Sequence, residues 1–417
     1  MAVIIDQSVR VESSTPAPAG QRAVRPEPNL NALTGLRVFA ALGVVVYHFA
    51  RPALNGWPAP LLNLAGSGYT AVSLFFLLSG FILSYSYLNG AGEMRGTRRA
   101  FYVSRFARIY PAYLVAFLLA APTNILWSLR VNHLPTAALK LMTSALAVLT
   151  LQQSWTPWTA WAWNFPAWSV SVEAFFYLSF PFIAPRLARL RPSACLKAAG
   201  ALWIAALIAP VCLYLAKGTT GAPELSDHLQ MAVEFNPLLR LPEFAIGILL
   251  GRAYRLGFSF GRLSAGLSYF SAAAILLVLA LCPFIPHPLL ANGLLVPLFA
   301  CLLFSLAQAK GLLARFLSQP LIVMLGEASY GIYILQIPIA YVLRLPPPHT
   351  SLKTFGIYLF ALLCASVLSW RFVESPLRIR IREWLTGNRK QDERLRARLA
   401  SEWTQATAPL TGVVDSK

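Results

Sequence analysis

The sequence predicts an all-α protein, a polytopic bundle of about ten transmembrane helices. Hydrophobic residues make up 57% of the 417 residues and charged residues only 12%, roughly half the charged fraction of a soluble protein. Apolar runs of about 18 to 20 residues recur along the chain, and each is long enough to cross the hydrocarbon core of a bilayer. The lipid bilayer is therefore the first partner that we expect.

The apolar runs also divide the chain. We place the predicted spans at residues 33–50, 69–88, 107–127, 168–185, 197–216, 236–252, 265–283, 290–308, 326–345 and 352–372. The polar, proline-rich stretch 1–30 is expected to be a disordered cytoplasmic leader, 31–378 the membrane domain, and 379–417 a basic, helical cytoplasmic tail.

The net charge is +19, and the distribution of the positive residues along the chain predicts the orientation of the bundle in the membrane. Arginine and lysine residues crowd the connections after the second, fourth, sixth, eighth and tenth predicted spans, as with Arg105 and Arg186. The positive-inside rule then places both termini in the cytoplasm. Because these charges lie beside apolar spans and form no basic face with base-stacking aromatics, we expect no binding to nucleic acid.

Residues 137–152 form one more apolar run, which is short for a span. Counting it as a span would move the basic cluster 186–197 to the outer side of the membrane. We therefore expect an interfacial or re-entrant helix on the outer side. The segment that follows is rich in tryptophan and suits an outer interface or an aromatic lid. Its tryptophans are Trp155, Trp158, Trp161 and Trp163.

Ionisable side chains inside apolar spans are energetically unfavourable, and they are therefore functional candidates. Arg37 and His48 are eleven residues apart in one predicted helix, which is about three turns, so both point to one side about 16 Å apart along the axis. The arginine near the cytoplasmic mouth suits an anionic donor, and the imidazole further in suits a general base near an acceptor. A snorkelling arginine and an interfacial histidine are the structural alternative.

Three further sites carry charges in or beside the spans. Glu173 could hold the imidazole in one tautomer, bind an acceptor hydroxyl, or simply pair with an arginine in the packing. Arg240 and the glutamate three residues after it have the spacing of an ion pair, so Arg240 could be structural or bind substrate. Arg105 and Arg108 share one face at the predicted cytoplasmic surface, where they suit phosphate groups or set the topology.

Other features of the sequence point to structure rather than chemistry. Glu374 lies just past the last predicted span, where we expect it to pair with a cytoplasmic arginine. The glycines in FFLLSGF and GILLG are typical of close contacts between helices. The five cysteines occur singly, so we expect neither a disulfide framework nor a metal site.

Seven motifs, in order, resemble those of the acyltransferase-3 family of membrane-bound O-acyltransferases over roughly residues 31–378. They are GLRVFAALGVVVYH, VSLFFLLSGF, SRFARIYPAY, NFPAWSVSVEAFFY, RLPEFAIG, LGEASYGIYIL and FVESP. The resemblance implies a ten-helix membrane fold and transfer of an acyl group, often acetyl, from cytoplasmic acyl-coenzyme A to a carbohydrate hydroxyl. It further implies O-acetylation of lipopolysaccharide, exopolysaccharide, peptidoglycan or a secreted glycoside, at the bacterial inner membrane.

The resemblance and the polar residues of the spans together lead to candidate roles. Arg37 and His48 match the family's arginine–histidine pair, and with Glu173 of the Trp-Ser motif they are expected in catalysis. Together with Arg105 and Arg108, Arg37 is also expected to bind the donor substrate, acyl-coenzyme A. No permanently bound cofactor is expected. The residues expected to bind a carbohydrate or glycolipid acceptor are Trp168, Ser169, Arg240, Tyr330 and Gln336.

The sequence departs from the family's pattern at two points. Many members have a histidine where this chain has Gln336, and because glutamine cannot act as a base, His48 is the expected intramembrane imidazole. The SGNH-type esterase domain of some members has no counterpart, so we expect direct acyl delivery or a separate partner. His48 could activate the acceptor or carry the acyl group transiently. A transporter of an anionic or acylated solute, or a membrane scaffold, remains the alternative.

Overall fold

The computed structural model describes residues 30–217, 223–345 and 351–387, together with Ser401 and Thr404. Across these residues the secondary structure is helical, apart from an isolated antiparallel bridge between Leu88 and Met94, which confirms the predicted fold class. The predicted leader 1–30, except Leu30, and most of the predicted tail 379–417 lie outside the described residues.

The helices follow one another along the chain with short connections. They are α1 (Leu30–Phe49), α2 (Ala59–Gly66), α3 (Ala71–Tyr87), α4 (Arg98–Val131), α5 (Leu134–Leu149), α6 (Pro157–Ala160), α7 (Trp168–Ala188), α8 (Pro192–Lys217), α9 (Pro223–Phe235), α10 (Pro237–Arg255), α11 (Ser264–Ala280), α12 (His287–Ala291), α13 (Val296–Leu306), α14 (Leu312–Leu317), α15 (Pro320–Glu327), α16 (Ser329–Val342), α17 (Leu352–Ser369) and α18 (Ser375–Thr386). A π-helical turn, Trp370–Glu374, joins the last two.

Eight helical segments of the described chain are long and apolar enough to cross a membrane. They coincide with eight of the predicted spans, and the predicted span 326–345 corresponds to α15 and α16, a helix pair that is bent by 58°. The predicted span 236–252 corresponds to α10, which has 19 residues but carries Arg240, Glu243 and two further arginines. A total of ten spans, with both termini in the cytoplasm, stays a prediction.

The predicted extra helix at 137–152 corresponds to α5, a 16-residue apolar helix. It is shorter than a transmembrane span, as expected. Leu139 and Met142 are exposed on one of its faces, and on the other Trp163 donates a hydrogen bond from Nε1 to Ser144 Oγ at 2.9 Å. Its location at the outer interface stays a prediction.

Helices α3 and α10 cross at a contact that only glycine permits. A Cβ atom on Gly80 would overlap the carbonyl oxygen of Phe244, and a Cβ atom on Gly247 would overlap the carbonyl oxygen of Leu77. The predicted role of these glycines in close helix contact is confirmed. Because α10 is thereby buried within the bundle, its charged residues contact protein rather than lipid.

Helix α1 lies beside α15 and α16 and runs in the same direction as α16. Near its start, the carbonyl oxygen of Thr34 packs against Gly326, and near its end His48 contacts Gln336. We call the end of the bundle at which α1 begins the Arg37 end, and the opposite end the His48 end.

Replacing Gly247 by alanine is expected to lower the apparent melting temperature of the detergent-purified protein, because the methyl group would force α3 and α10 apart. Overpacking of this kind destabilises by about 1–3 kcal/mol. Gly266→Ala is the matched control, since a Cβ atom at this position in α11 meets nothing within 4 Å. An unchanged melting temperature for Gly247→Ala would contradict the close contact.

Candidate active site

His48 lies in the last turn of α1, half-buried, and its Nδ1 atom is 2.7 Å from Oε1 of Gln336. The orientation of the Gln336 amide follows from its second contact. Its Nε2 lies 2.7 Å from the carbonyl oxygen of Tyr333, which can only accept a hydrogen bond. Oε1 therefore faces the imidazole and accepts from Nδ1. In the neutral ring, Nε2 keeps its lone pair and can take a proton.

Gln336 is held in place by three separate segments of the chain. It lies on α16 with its side chain fully buried, and the Tyr358 hydroxyl of α17 donates to its backbone carbonyl at 2.9 Å. One turn earlier, the Tyr333 hydroxyl donates to the carbonyl oxygen of Pro166 at 3.0 Å and lies 2.8 Å from the hydroxyl of Ser169. The hydrogen-bond partner of His48 therefore has a fixed position.

Aromatic side chains of the tryptophan-rich segment lie next to the imidazole. The Phe165 ring meets the His48 ring edge-on with centroids 5.2 Å apart, and Trp161 packs on Phe165 at 4.9 Å. Asn164 donates from Nδ2 to the carbonyl oxygen of Ile334 at 2.8 Å and so ties this segment to α16. The segment thus forms an aromatic layer beside His48, while its action as a lid stays a prediction.

Glu173 is fully buried in α7, but its hydrogen bonds do not lead to His48. Its Oε1 accepts from the Tyr177 hydroxyl at 2.5 Å and from Ser79 Oγ at 3.4 Å. The sequence suggested that Glu173 could orient the imidazole, but in the structure Gln336 makes that hydrogen bond. Binding of an acceptor hydroxyl by Glu173 stays a prediction.

Arg105 and Arg108 lie inside the bundle and not at the surface where the sequence placed them, since each is only 1% exposed. Arg108 Nη1 is 3.0 Å from Glu374 Oε2, so the predicted pairing of Glu374 with an arginine is confirmed. The surface position was wrong because buried carboxylate and aromatic partners compensate both charges inside the protein. Donor binding by these two arginines stays a prediction.

Arg37 lies among carboxylates at the Arg37 end. It is 1% exposed, and its attractive electrostatic partners include Glu327 and Glu173. Arg108 is close enough to repel it, so the two cations belong to one cluster. Glu327 was not among the residues predicted from the sequence, although a carboxylate in the apolar motif LGEASYG is a signal that identifies such a residue.

We use the term arginine cluster for Arg37, Arg105 and Arg108 together with the carboxylates Glu173, Glu327 and Glu374. Arg105 joins it through aromatic neighbours: its Nη2 donates to the Tyr87 hydroxyl at 2.8 Å, and its guanidinium lies over the Tyr177 ring at 5.9 Å. A cleft of about 550 Å³ between α4 and α7 is lined by Arg105 and Tyr177. The cleft therefore meets the cluster at Arg105.

Arg240 forms the predicted ion pair with Glu243, at 3.2 Å between Nη2 and Oε2. Both side chains are buried, and Arg240 also donates to Ser73 Oγ at 3.0 Å, to the carbonyl oxygen of Ala291 at 2.6 Å and to the Asn292 side chain. These contacts favour a structural role for Arg240. Binding of substrate by Arg240 stays a prediction.

The remaining candidates for acceptor binding also contact the protein itself. The Tyr330 hydroxyl donates to the carbonyl oxygen of Ile109 at 2.8 Å, and the Trp168 ring packs against Phe235 at 4.5 Å. Ser169 contacts Tyr333, as described above. Of the predicted acceptor residues, Gln336 is the one that contacts His48 directly.

Within the described ranges, no group of three His, Cys, Asp or Glu residues is arranged to hold a metal ion.

The comparison with known families decides the class of protein to which this bundle belongs. A family model described as an acyltransferase domain matches residues 30–373 and so includes His48 and every member of the arginine cluster except Glu374. The chain belongs to the acyltransferase-3 family. It is a membrane acyltransferase by family, as its motifs predicted. No solved structure matches it.

Individual relatives agree with this assignment. The acyltransferase MdmB of Streptomyces mycarofaciens is 32% identical over 326 residues, which cover 73% of this chain and 77% of that protein. The O-acetyltransferase OatA of Staphylococcus aureus is 23% identical over 84% of this chain and 57% of its own length. The putative peptidoglycan O-acetyltransferase YrhL of Bacillus subtilis is 26% identical over 85% of this chain and 58% of its own length. The chain therefore spans little more than half of the last two proteins.

Replacing Gln336 by leucine is expected to lower kcat for acyl transfer at least 100-fold, because Nδ1 loses its acceptor and the imidazole loses its fixed tautomer. Gln336→Glu keeps an acceptor oxygen and should retain activity within about tenfold of the wild type. The measurement is kcat and KM on folded, monodisperse protein. Gln319→Leu, at an exposed position before α15, is the control. A wild-type kcat for Gln336→Leu would contradict the orienting role.

Proposed function

We propose that this protein is an integral membrane O-acyltransferase of the bacterial inner (plasma) membrane. It moves an acyl group, in the first instance acetyl, from acyl-coenzyme A to a hydroxyl of a cell-surface or secreted carbohydrate. Two of its bacterial relatives bear the name O-acetyltransferase, and one of those names specifies peptidoglycan. The family and the chain's apolar helices support the membrane location and the reaction class.

The observation that carries the proposal is the hydrogen bond between His48 and Gln336. With Nδ1 donating to Gln336, Nε2 takes the proton of the acceptor hydroxyl while the hydroxyl oxygen attacks the thioester carbonyl carbon. A C–O bond forms, the C–S bond breaks, and the proton passes from the imidazole to the leaving sulfur. The products are an O-acyl ester and the free thiol of coenzyme A.

The arginine cluster supplies the donor end of the site in this proposal. Phosphate oxygens of acyl-coenzyme A would take the place of the Glu374 carboxylate on Arg108 and approach Arg37, because guanidinium groups bind both anions in the same geometry. The donor then spans the distance of about 16 Å between Arg37 and His48 on α1. Its thioester reaches the imidazole at the His48 end, where the acceptor arrives from the opposite side.

The first test is release of free thiol from acetyl-coenzyme A by the purified protein with a panel of glycans. His48→Ala should reduce the rate at least 100-fold, because general-base catalysis contributes about 10²–10⁴. The matched control is His133→Ala, since His133 is exposed before α5 and is not placed at the site. The control should release thiol at the wild-type rate.

The outcomes separate the rival functions. Thiol release that is lost in His48→Ala and kept in His133→Ala supports the proposal. Equal release by wild type and His48→Ala would remove His48 from the chemistry. If folded wild-type protein releases no thiol from acetyl- or longer acyl-coenzyme A, and instead moves an anionic solute across a sealed membrane, the transporter reading is supported.

A further inference from the structure

A second cavity, of about 620 Å³, lies at the His48 end, beyond the residues so far assigned to the site. We call it the Arg51 pocket and define it by the residues Arg51, Asn63, Tyr69, Tyr214, Cys282 and His287. Its volume is within the range of small-ligand sites. It differs from the cleft between α4 and α7 because an imidazole lines it, in addition to a guanidinium and two phenol groups.

A single aromatic ring separates this pocket from the catalytic imidazole. The Tyr47 ring lies 5.0 Å from the His48 ring and 5.4 Å from the Tyr69 ring, measured between centroids. Arg51 follows His48 by three residues, so it lies within one turn of the catalytic residue along the chain. The pocket and the imidazole are therefore neighbours, with the Tyr47 ring between them.

The polar groups of the pocket match the surface of a sugar. His287 Nδ1 is 3.1 Å from Glu234 Oε1, and Gln230 donates to the same carboxylate oxygen at 2.9 Å. This arrangement leaves the second imidazole nitrogen of His287 for a ligand hydroxyl. The Tyr214 ring is 51% exposed, so its face is available to pack against the C–H groups of a pyranose ring.

Arg51 adds a preference for negative charge. It is exposed and makes no hydrogen bond or ion pair with another described residue. A guanidinium group binds a carboxylate or a phosphate through two parallel hydrogen bonds. The carboxylate that contacts His287, Glu234, is also bound by Gln230 and makes no ion pair with Arg51.

We propose that the Arg51 pocket binds an anionic glycosyl residue of the acceptor, next to the sugar whose hydroxyl is acylated at His48. Arg51 pairs with the anionic group, Tyr214 packs on the ring, and His287 contacts a ring hydroxyl. The inference rests on the proposed function for its place in catalysis, but the binding itself does not require turnover.

Binding to the full-length protein in lipid nanodiscs tests the pocket, with two probes that differ in one group. Nitrophenyl β-glucuronide has a carboxylate where nitrophenyl β-glucoside has a hydroxymethyl group. We expect the glucuronide to bind about tenfold more tightly, and Arg51→Gln to abolish this preference. The matched control is Arg344→Gln, because Arg344 is an exposed arginine just after α16, at the same end of the bundle. It should keep the preference.

A second pair of variants tests the packing surface. Tyr214→Ala should weaken the binding of both probes about tenfold, whereas Tyr214→Phe keeps the ring and should bind both like the wild type.

Equal binding of the two probes, or a preference that Arg51→Gln leaves unchanged, would overturn the proposal. Thiol release from acetyl-coenzyme A is measured in parallel. Charge-selective binding with no thiol release from acetyl- or longer acyl-coenzyme A would support the pocket and reject the acyltransferase mechanism. Thiol release without charge-selective binding would reject only the pocket.

Discussion

A charged side chain in the hydrocarbon region of a bilayer must find its partner inside the protein, and this constraint organises the bundle. It explains why the Arg108–Glu374 and Arg240–Glu243 ion pairs are both buried, and why α10, too charged to face lipid, is enclosed by its neighbours. Enclosure in turn requires close helix contact, which Gly80 and Gly247 permit. Charge pairing and close packing are thus two parts of one solution.

The same constraint explains why the two ends of the bundle carry different kinds of site. At the Arg37 end, three cations and three carboxylates lie together, so an anionic ligand can exchange with a carboxylate that is already there. At the His48 end, the imidazole is held by a neutral amide, and its own charge is not fixed by an ionic partner. That difference suits a histidine that gains and loses a proton during turnover, next to arginines that stay charged.

Residue patterns in the sequence predicted much of this fold and part of the candidate site. Apolar run lengths predicted the spans, and ionisable residues in those runs identified Arg37, His48 and Glu173. The hydrogen bond between His48 and Gln336 could not be read from the sequence, because the two residues are 288 positions apart. The resemblance singled out Gln336, but as a residue for acceptor binding and not as the partner of His48. The bend of 58° between α15 and α16 was missed as well, since hydropathy reports length and not direction.

In the proposed reaction, donor and acceptor meet His48 from opposite ends of the bundle. The direct measurement uses sealed vesicles with the protein in one known orientation, radiolabelled acetyl-coenzyme A outside and a glycan acceptor enclosed. With the Arg37 end outward, we expect label to accumulate on the enclosed glycan, and with the opposite orientation we expect none. Label that appears only on glycan supplied from the donor's side, or only when the His48 end faces the donor, would contradict the account.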